Sequence, residues 1–267
     1  MISYENLVNC RRFFLIAGPC LAENADLVYH TATFLQEESA KRDLIFIFKA
    51  SFKKANRSSV DSATGPGLEK GLSYLRNVRE RLGVPVLTDV HEVTEIEAVA
   101  DVADVIQIPA FLSRQTDLII QAAATGKIIN IKKGQFMAPE DMAMAAGKVR
   151  FTGNEKLLLT ERGTFFGYHN LVVDFRNFSI MSDFGYPVVY DVTHSLQKPS
   201  EGKTTGGTPE FAVAMARAAL ATGKVKGLFL EAHPHPRQAL SDALSQIALD
   251  RVPDLLDACL RIMDSSK

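Results

Sequence analysis

Short apolar runs alternate with stretches of helical periodicity along the whole chain. Eight runs stand out: FFLIA (13 to 17), LIFIFKA (44 to 50), VPVLTD (84 to 89), DVIQIP (104 to 109), IINIKK (128 to 133), KLLLTE (156 to 161), YPVVYDV (186 to 192) and GLFLEA (227 to 232). Val, Ile, Leu and Phe fill them almost without interruption, as expected of parallel strands covered on both faces. The intervals carry helical spacing. Leu68, Leu72, Leu75 and Leu82 share one face, as do Leu118, Ile119, Ala122 and Ala123, with Gly126 set to end that helix. Thr208-Pro209 predicts a cap and first turn for a helix through Ala219-Leu220 that closes at Gly223. A last helix holds Leu255, Leu256, Cys259, Leu260 and Met263.

Eight strand-then-helix units in 267 residues predict a (β/α)8 TIM barrel, an α/β fold forming a single catalytic domain over 1–267, in preference to an open doubly wound sheet. Nucleotide folds lack support, because Gly65-Pro66-Gly67 is no complete dinucleotide fingerprint and no Gly-Lys-Ser/Thr phosphate loop occurs.

Charge narrows the partners. Lys and Arg number 30 against 31 Asp and Glu, so no global field attracts nucleic acid or an acidic membrane, and any anion site must be built locally. Three cysteines, Cys10, Cys20 and Cys259, are too few and too odd for a disulfide framework and point to a reducing, cytoplasmic setting. Arg11-Arg12 before the first run imitates a leader, but Gly18-Pro19 cuts the apolar stretch short, so it reads as a buried strand.

In such a barrel the chemistry belongs where strands run out at their C-terminal ends. Those ends carry Cys20, Lys49, Asp89, Gln107, Lys132 with Lys133, Glu161 with Arg162, Asp191 with His194, and Glu231. A charge inside an apolar strand is costly unless it is paired or emerges into a polar cavity. Cys20, His194, Glu231 and Asp242 form a mixed sulfur, nitrogen and oxygen set suited to a divalent zinc, iron or manganese ion. Their spacing is too wide to be diagnostic; closure of the barrel is what would bring them to one rim. In GLFLEAHPHP, Pro234 and Pro236 should end the strand, leaving Glu231 as the ligand candidate, His233 as a supporting or phosphate contact and His235 as a loop residue. The loop FKASFKKANRSS concentrates cations, an amide and hydroxyls suited to phosphate oxygens, and Arg114, Lys132 and Arg162 should lie round the same mouth. Together they predict an anionic substrate with as many as two phosphates.

IAGPC, FKASFKKANRSS, VIQIPAFLSRQTDL, INIKKGQF, LLLTERGTFFGYHNLVVDFR, YDVTHSLQ and EAHPHPRQALSD, in this order over roughly residues 13 to 249, closely resemble the 3-deoxy-D-manno-octulosonate 8-phosphate synthases, of the phosphoenolpyruvate–aldose phosphate synthase family. KANRSS separates these from the sister synthases that make 3-deoxy-D-arabino-heptulosonate 7-phosphate. The resemblance implies a barrel transferase that condenses phosphoenolpyruvate with D-arabinose 5-phosphate and water and releases phosphate. It implies Cys20, His194, Glu231 and Asp242 as metal ligands. Lys49, Lys54, Gln107, Lys132, Arg162 and His194 would hold phosphoenolpyruvate, and Asn56, Arg57 and Ser58 the aldose phosphate. Lys132 belongs to the catalytic set with Asp89, Glu231 and His194, the last three being candidates to carry the proton. Cys20, where other members have Asn, points to the metal-dependent class, and a homotetramer is implied by likeness alone.

Three stretches depart from the family pattern: His169-Asn170 where two Asn are usual, Lys198 to Lys203 where Leu-Pro-Gly-Gly is common, and ALSQIAL after Asp242. Rival readings are the heptulosonate synthase reaction with erythrose 4-phosphate, a Schiff-base aldolase using Lys132, and a barrel that only binds sugar phosphates or a protein partner.

Overall fold

The computed structural model describes residues 2–55, 61–199 and 206–265. Eight parallel strands close on themselves: β1 (Phe14–Gly18), β2 (Phe46–Lys49), β3 (Val86–Asp89), β4 (Val105–Ile108), β5 (Ile128–Lys132), β6 (Leu157–Glu161), β7 (Val188–Asp191) and β8 (Val225–His233). Each pairs with the next, and β8 returns to β1 in the register Phe14↔Gly227 through Gly18↔Glu231, so no barrel edge is left open. The predicted (β/α)8 barrel is therefore what forms, with strand bounds shifted by a residue or two from the apolar runs. β8 ends at His233, directly before Pro234, as its missing N–H requires.

Helices accompany the strands, in chain order α1 (Tyr4–Val8), α2 (Ala25–Ala40), α3 (Leu68–Leu82), α4 (Ile96–Val102), α5 (Thr116–Ala124), α6 (Met142–Arg150), α7 (Arg176–Ser182), α8 (Val192–Ser195), α9 (Ala212–Ala221) and α10 (Val252–Ser265). Leu72 and Leu75 of α3, Leu118, Ile119, Ala122 and Ala123 of α5, and Leu255, Leu256 and Cys259 of α10 face the sheet and are buried, as their spacing predicts. Thr208-Pro209 opens a single 3₁₀ turn before α9 rather than capping it directly, because the Thr208 hydroxyl is used on the Leu196 carbonyl at 3.3 Å. Among the described residues no helix is long and apolar enough to cross a membrane.

Along each strand, side chains alternate between two cores. Leu15, Phe48, Ile106, Ile131, Leu159, Tyr190 and Leu230 join the layer between sheet and helices. Phe14, Ile16, Ile47, Leu87, Val105, Ile128, Leu158, Val189 and Phe229 fill the lower half of the barrel, and Leu7 from the helix Tyr4–Val8 plugs its floor. Beyond them the inward positions rise to the C-terminal mouth, and there the residue types change.

Candidate active site

The upper inward positions are Gly18, Lys49, Asp89, Gln107, Lys132, Asp191 and Glu231, with Arg162 one residue past β6. Lys49, Asp89, Gln107, Lys132, Arg162, Asp191 and Glu231 are all buried. Gly18 serves a close approach, since a Cβ there would stand 2.0 Å from the Lys49 carbonyl oxygen. A layer of amides and hydroxyls lies under the charges: Asn130 donates to Gln107 Oε1 at 3.0 Å, and Thr160 donates to Asn130 Oδ1 at 2.6 Å. No strand-end reasoning identified Asn130 or Thr160; a polar residue in mid-strand, two places before Lys132 and Arg162 respectively, was their signal.

One corner is anionic. Cys20, Glu231 and Asp242 each offer a ligand atom, all within 4.8 Å of one another, and they form the group among the described residues suited to a metal ion. Cys20 Sγ lies 3.0 Å from Asp242 Oδ2 and 3.3 Å from Ser241 Oγ. Burial pushes the Cys20 thiol well above its usual range, and Asp242 and Glu231 push it further. Asp242 sits in the left-handed region at φ 51°, which Asp tolerates better than most residues. Gln246 ties the corner together, accepting from the Cys20 N–H at 3.1 Å and donating to the Ser241 carbonyl at 2.8 Å. No sequence signal marked Gln246.

His194 stands beside this trio rather than within it. Its Nδ1 lies 2.8 Å from Asp191 Oδ2 and 3.4 Å from Lys132 Nζ, while its Nε2 faces Glu231 Oε2 at 3.6 Å. The expected four-residue set is thus gathered as three, because Asp191 holds the ring from its other side. A carboxylate can only accept, so the ring proton belongs on Nδ1, and in the neutral ring Nε2 turns a lone pair toward Glu231. Glu231 Oε2 is itself buried without a hydrogen-bond partner among the described residues. Two acceptors facing each other beside a thiol and a second carboxylate are the donor set of a divalent cation, so these residues fit one.

The facing wall is cationic. Lys49 Nζ bonds Glu231 Oε1 at 2.6 Å and the Cys20 carbonyl at 3.1 Å. Lys132 pairs with Asp191, and its ammonium lies 3.6 Å from the centre of the Phe229 ring. Arg162 donates from Nη2 to Gln197 at 3.0 Å, while its buried Nη1 has no partner among the described residues. Burial lowers the Lys132 and Arg162 pKa values, with Asp191 the largest opposing influence on each. Burial works against Glu231 as an anion, yet Lys49, His194, Lys54 and Lys132 hold its pKa well below the usual value. Lys54 reaches Asp242 at 3.8 Å; burial disfavours its charge, but Cys20, Glu231, Asp242 and Asp89 raise its pKa well above the ordinary range.

Asp89 is gripped by His91, whose Nε2 lies 2.9 Å away, and Glu95 closes on the other ring nitrogen at 3.4 Å. Burial opposes the Asp89 carboxylate, but His91, then Lys49 and Lys54, hold its pKa below the carboxylate range. His91 was missed in the sequence, where it follows the strand by two residues in an ordinary polar loop.

Two of the strand-end residues resolve differently from expectation. Lys133 and Glu161 do not join the mouth: they fall on the outward phase of β5 and β6, fully buried and 3.5 Å apart, where Glu161 also accepts from Gly163 N and Asn177 Nδ2. Arg114 is exposed. His233 is buried, turned toward Glu23 at 3.6 Å. Asn56, Arg57 and Ser58 lie outside the described residues. His169, where the chain departs from the family pattern, adopts φ 51° and donates from Nδ1 to the Pro199 carbonyl at 2.8 Å, linking the two altered loops.

Fold and mouth together define a class: a parallel barrel whose buried cations face a thiol–carboxylate corner at the C-terminal ends of its strands. A family model described as the DAHP synthetase I family matches residues 9–263, and the chain belongs to that family. It is 49% identical over 256 residues, 96% of this chain and 88% of the relative, to the 2-dehydro-3-deoxyphosphooctonate aldolase of Syntrophobacter fumaroxidans. To the proteins of the same name from Nitratidesulfovibrio vulgaris and Xanthomonas campestris pv. campestris it is 52% identical over 246 and 250 residues, covering 92% and 93% of this chain and 90% of each relative.

Proposed function

We propose that this chain is a transferase that condenses phosphoenolpyruvate with D-arabinose 5-phosphate and water, giving 3-deoxy-D-manno-octulosonate 8-phosphate and inorganic phosphate. The observation that carries the reading is the buried Arg162 guanidinium with Nη1 unmatched, beside buried Lys49 and Lys132 and across from Cys20, Glu231 and Asp242. Buried donors without acceptors suit an anionic ligand. Relatives half identical over nearly all of the chain, with names specifying the octonate product, favour this reading over the heptulosonate alternative.

Arg162 and Lys132 hold the carboxylate and phosphate of phosphoenolpyruvate, with Lys49, Lys54 and Gln107 completing its contacts; Asn56, Arg57 and Ser58 hold the aldose phosphate. Carbon 3 of the enol phosphate attacks the aldehyde carbon, water adds at carbon 2, and the tetrahedral intermediate expels phosphate. Fixing both reactants in line and meeting their charges with preorganised cations supply much of the acceleration. Asp89, Glu231 and His194 border the reacting carbons and are the groups able to move the proton. A divalent zinc, iron or manganese ion would be held by Cys20, Glu231 and Asp242 with His194 as the neighbouring fourth donor. Such an ion, when bound, supplies Lewis-acid polarisation of the aldehyde without redox change. The enzyme is proposed to act in the cytoplasm as a homotetramer, which sedimentation at working concentration checks.

Phosphate release is the test. The expected result is turnover with arabinose 5-phosphate, loss on chelation and restoration by a divalent ion. Preference for erythrose 4-phosphate overturns the substrate assignment, and full activity in chelator overturns the metal. Borohydride with substrate should leave Lys132 unmodified, since its ammonium is committed to Asp191.

A further inference from the structure

Two of the three clustered ligand residues are set by the barrel itself. Glu231 lies on β8, paired with Gly18, and Cys20 follows two residues later, next to the Leu21↔Ser51 bridge. Asp242 is different: it sits nine residues beyond the end of β8 (His233), in a loop that must be brought back to the thiol. Gln246 holds one end of that return. The other end is held by Glu23, a residue that neither the strand ends nor the motifs identified.

Glu23 follows Cys20 by three residues, and its backbone is set from both sides. Leu21 bridges to Ser51, and Asn24 caps α2 by accepting from the Leu27 N–H at 2.9 Å. From this position Glu23 Oε1 accepts the N–H of Leu240 at 2.8 Å, two residues before Asp242. The same oxygen faces His233 Nε2 at 3.6 Å, with 10% of the Glu23 and 4% of the His233 side chain exposed. His233 Nδ1 accepts the N–H of His235 at 2.9 Å, so the ring proton belongs on Nε2, pointed at Glu23. Among the described residues His233 Nε2 is buried with no hydrogen-bond partner, and the Glu23 carboxylate is the group it faces. One carboxylate therefore engages both the start of the loop and the stretch leading into Asp242.

We propose that Glu23 is a positioning residue for the divalent-metal site: a latch, reaching from the segment that carries Cys20, that holds the Asp242 loop at ligand distance. This rests on the proposed reading of Cys20, Glu231 and Asp242 as metal ligands. Glu23 touches neither substrate nor ion; it acts by keeping Asp242 from swinging away, so its loss should weaken the ion's hold while leaving the barrel intact.

The test uses the full chain stripped of metal and titrated with cobalt(II), reading the thiolate-to-cobalt absorption and the affinity by chelator competition. Wild type should show the band and Cys20→Ser should not. Glu23→Ala should bind cobalt about tenfold more weakly, the low end for partners that orient ligands, while Glu23→Gln, whose amide oxygen still accepts from Leu240, should stay within about twofold of wild type. Leu240→Pro, which removes the N–H that Glu23 holds, should reproduce the loss from the opposite side. Melting of the metal-free proteins should be unchanged. Wild-type affinity in Glu23→Ala and Leu240→Pro overturns the latch, as does a fall in metal-free stability with affinity retained. The contrast of wild type with Cys20→Ser tests the metal reading on its own; absence of the band in wild type removes that reading and the latch with it.

Discussion

The two halves of the barrel interior are built on the same strands, one inward position apart, and they are stabilised in opposite ways. Below, Phe14, Ile16, Ile47, Leu87, Val105, Ile128, Leu158 and Val189 meet as apolar side chains, and their burial stabilises the fold directly. Above, Lys49, Asp89, Lys132, Arg162, Asp191 and Glu231 are buried as charges whose desolvation is offset by one another and by polar partners such as His91, His194 and Gln197. A fold optimised for stability alone would continue the lower layer upward. The upper layer is what a preorganised electrostatic site requires, and the lower layer supplies the rigidity that holds it.

Breaking the upper layer should cost function before stability. Lys132→Met is expected to lower kcat/KM by about 10³-fold, roughly 4 kcal/mol of transition-state stabilisation, in phosphate-release kinetics. The buried pair outside the mouth should behave in the reverse way. Lys133→Met strands Glu161 in the interior and should cost about 3 kcal/mol in urea unfolding, and Lys133→Met with Glu161→Leu should recover a large part of it. In the lower layer, Ile16→Val should cost about 1 kcal/mol of stability with KM for phosphoenolpyruvate unchanged.

The smallest effect is one of pH and sharpens the comparison at Asp89. Burial opposes the His91 charge, but Asp89 and Glu95 raise its pKa above 6.5, so its contribution is full below 6.5 and is lost as pH rises through the raised value. Asp89 is depressed below 3.8, so its contribution is present above 3.8 and is lost as pH falls through the lowered value. The melting-temperature gap between wild type and His91→Asn should therefore be widest between 3.8 and 6.5 and shrink as pH rises through the raised His91 pKa. A gap that grows with pH would show that the pair is not held as an ion pair.

Much of this was readable along the chain, because a parallel strand covered on both faces must be apolar and a polar residue at its end must have a partner or a cavity. The eight runs, their order and the candidates Lys49, Asp89, Gln107, Lys132, Arg162 and Glu231 follow from that. Neighbouring polar pairs were not separable by the same logic. Lys132 and Lys133, or Glu161 and Arg162, read alike, and only the two-residue period of a closed sheet sends one of each to the mouth and the other to the helices. Glu23 and Gln246 were invisible for another reason: each acts through a hydrogen bond to a residue whose proximity depends on how a loop returns.

The amino-acid order by itself thus determined the number of strands, the class of fold and which side chains had to emerge at strand ends, since local periodicity and the cost of burying a lone charge are properties of short segments. The tertiary structure alone decided that Cys20 and Asp242, 222 residues apart, share a corner, that His194 turns toward Asp191 beside it, and that Glu23 closes the loop between them. The contacts of Cys20 and Glu23 with the last loop depend on β8 pairing with β1, and no local pattern encodes where a closed ring brings its first and last strands together.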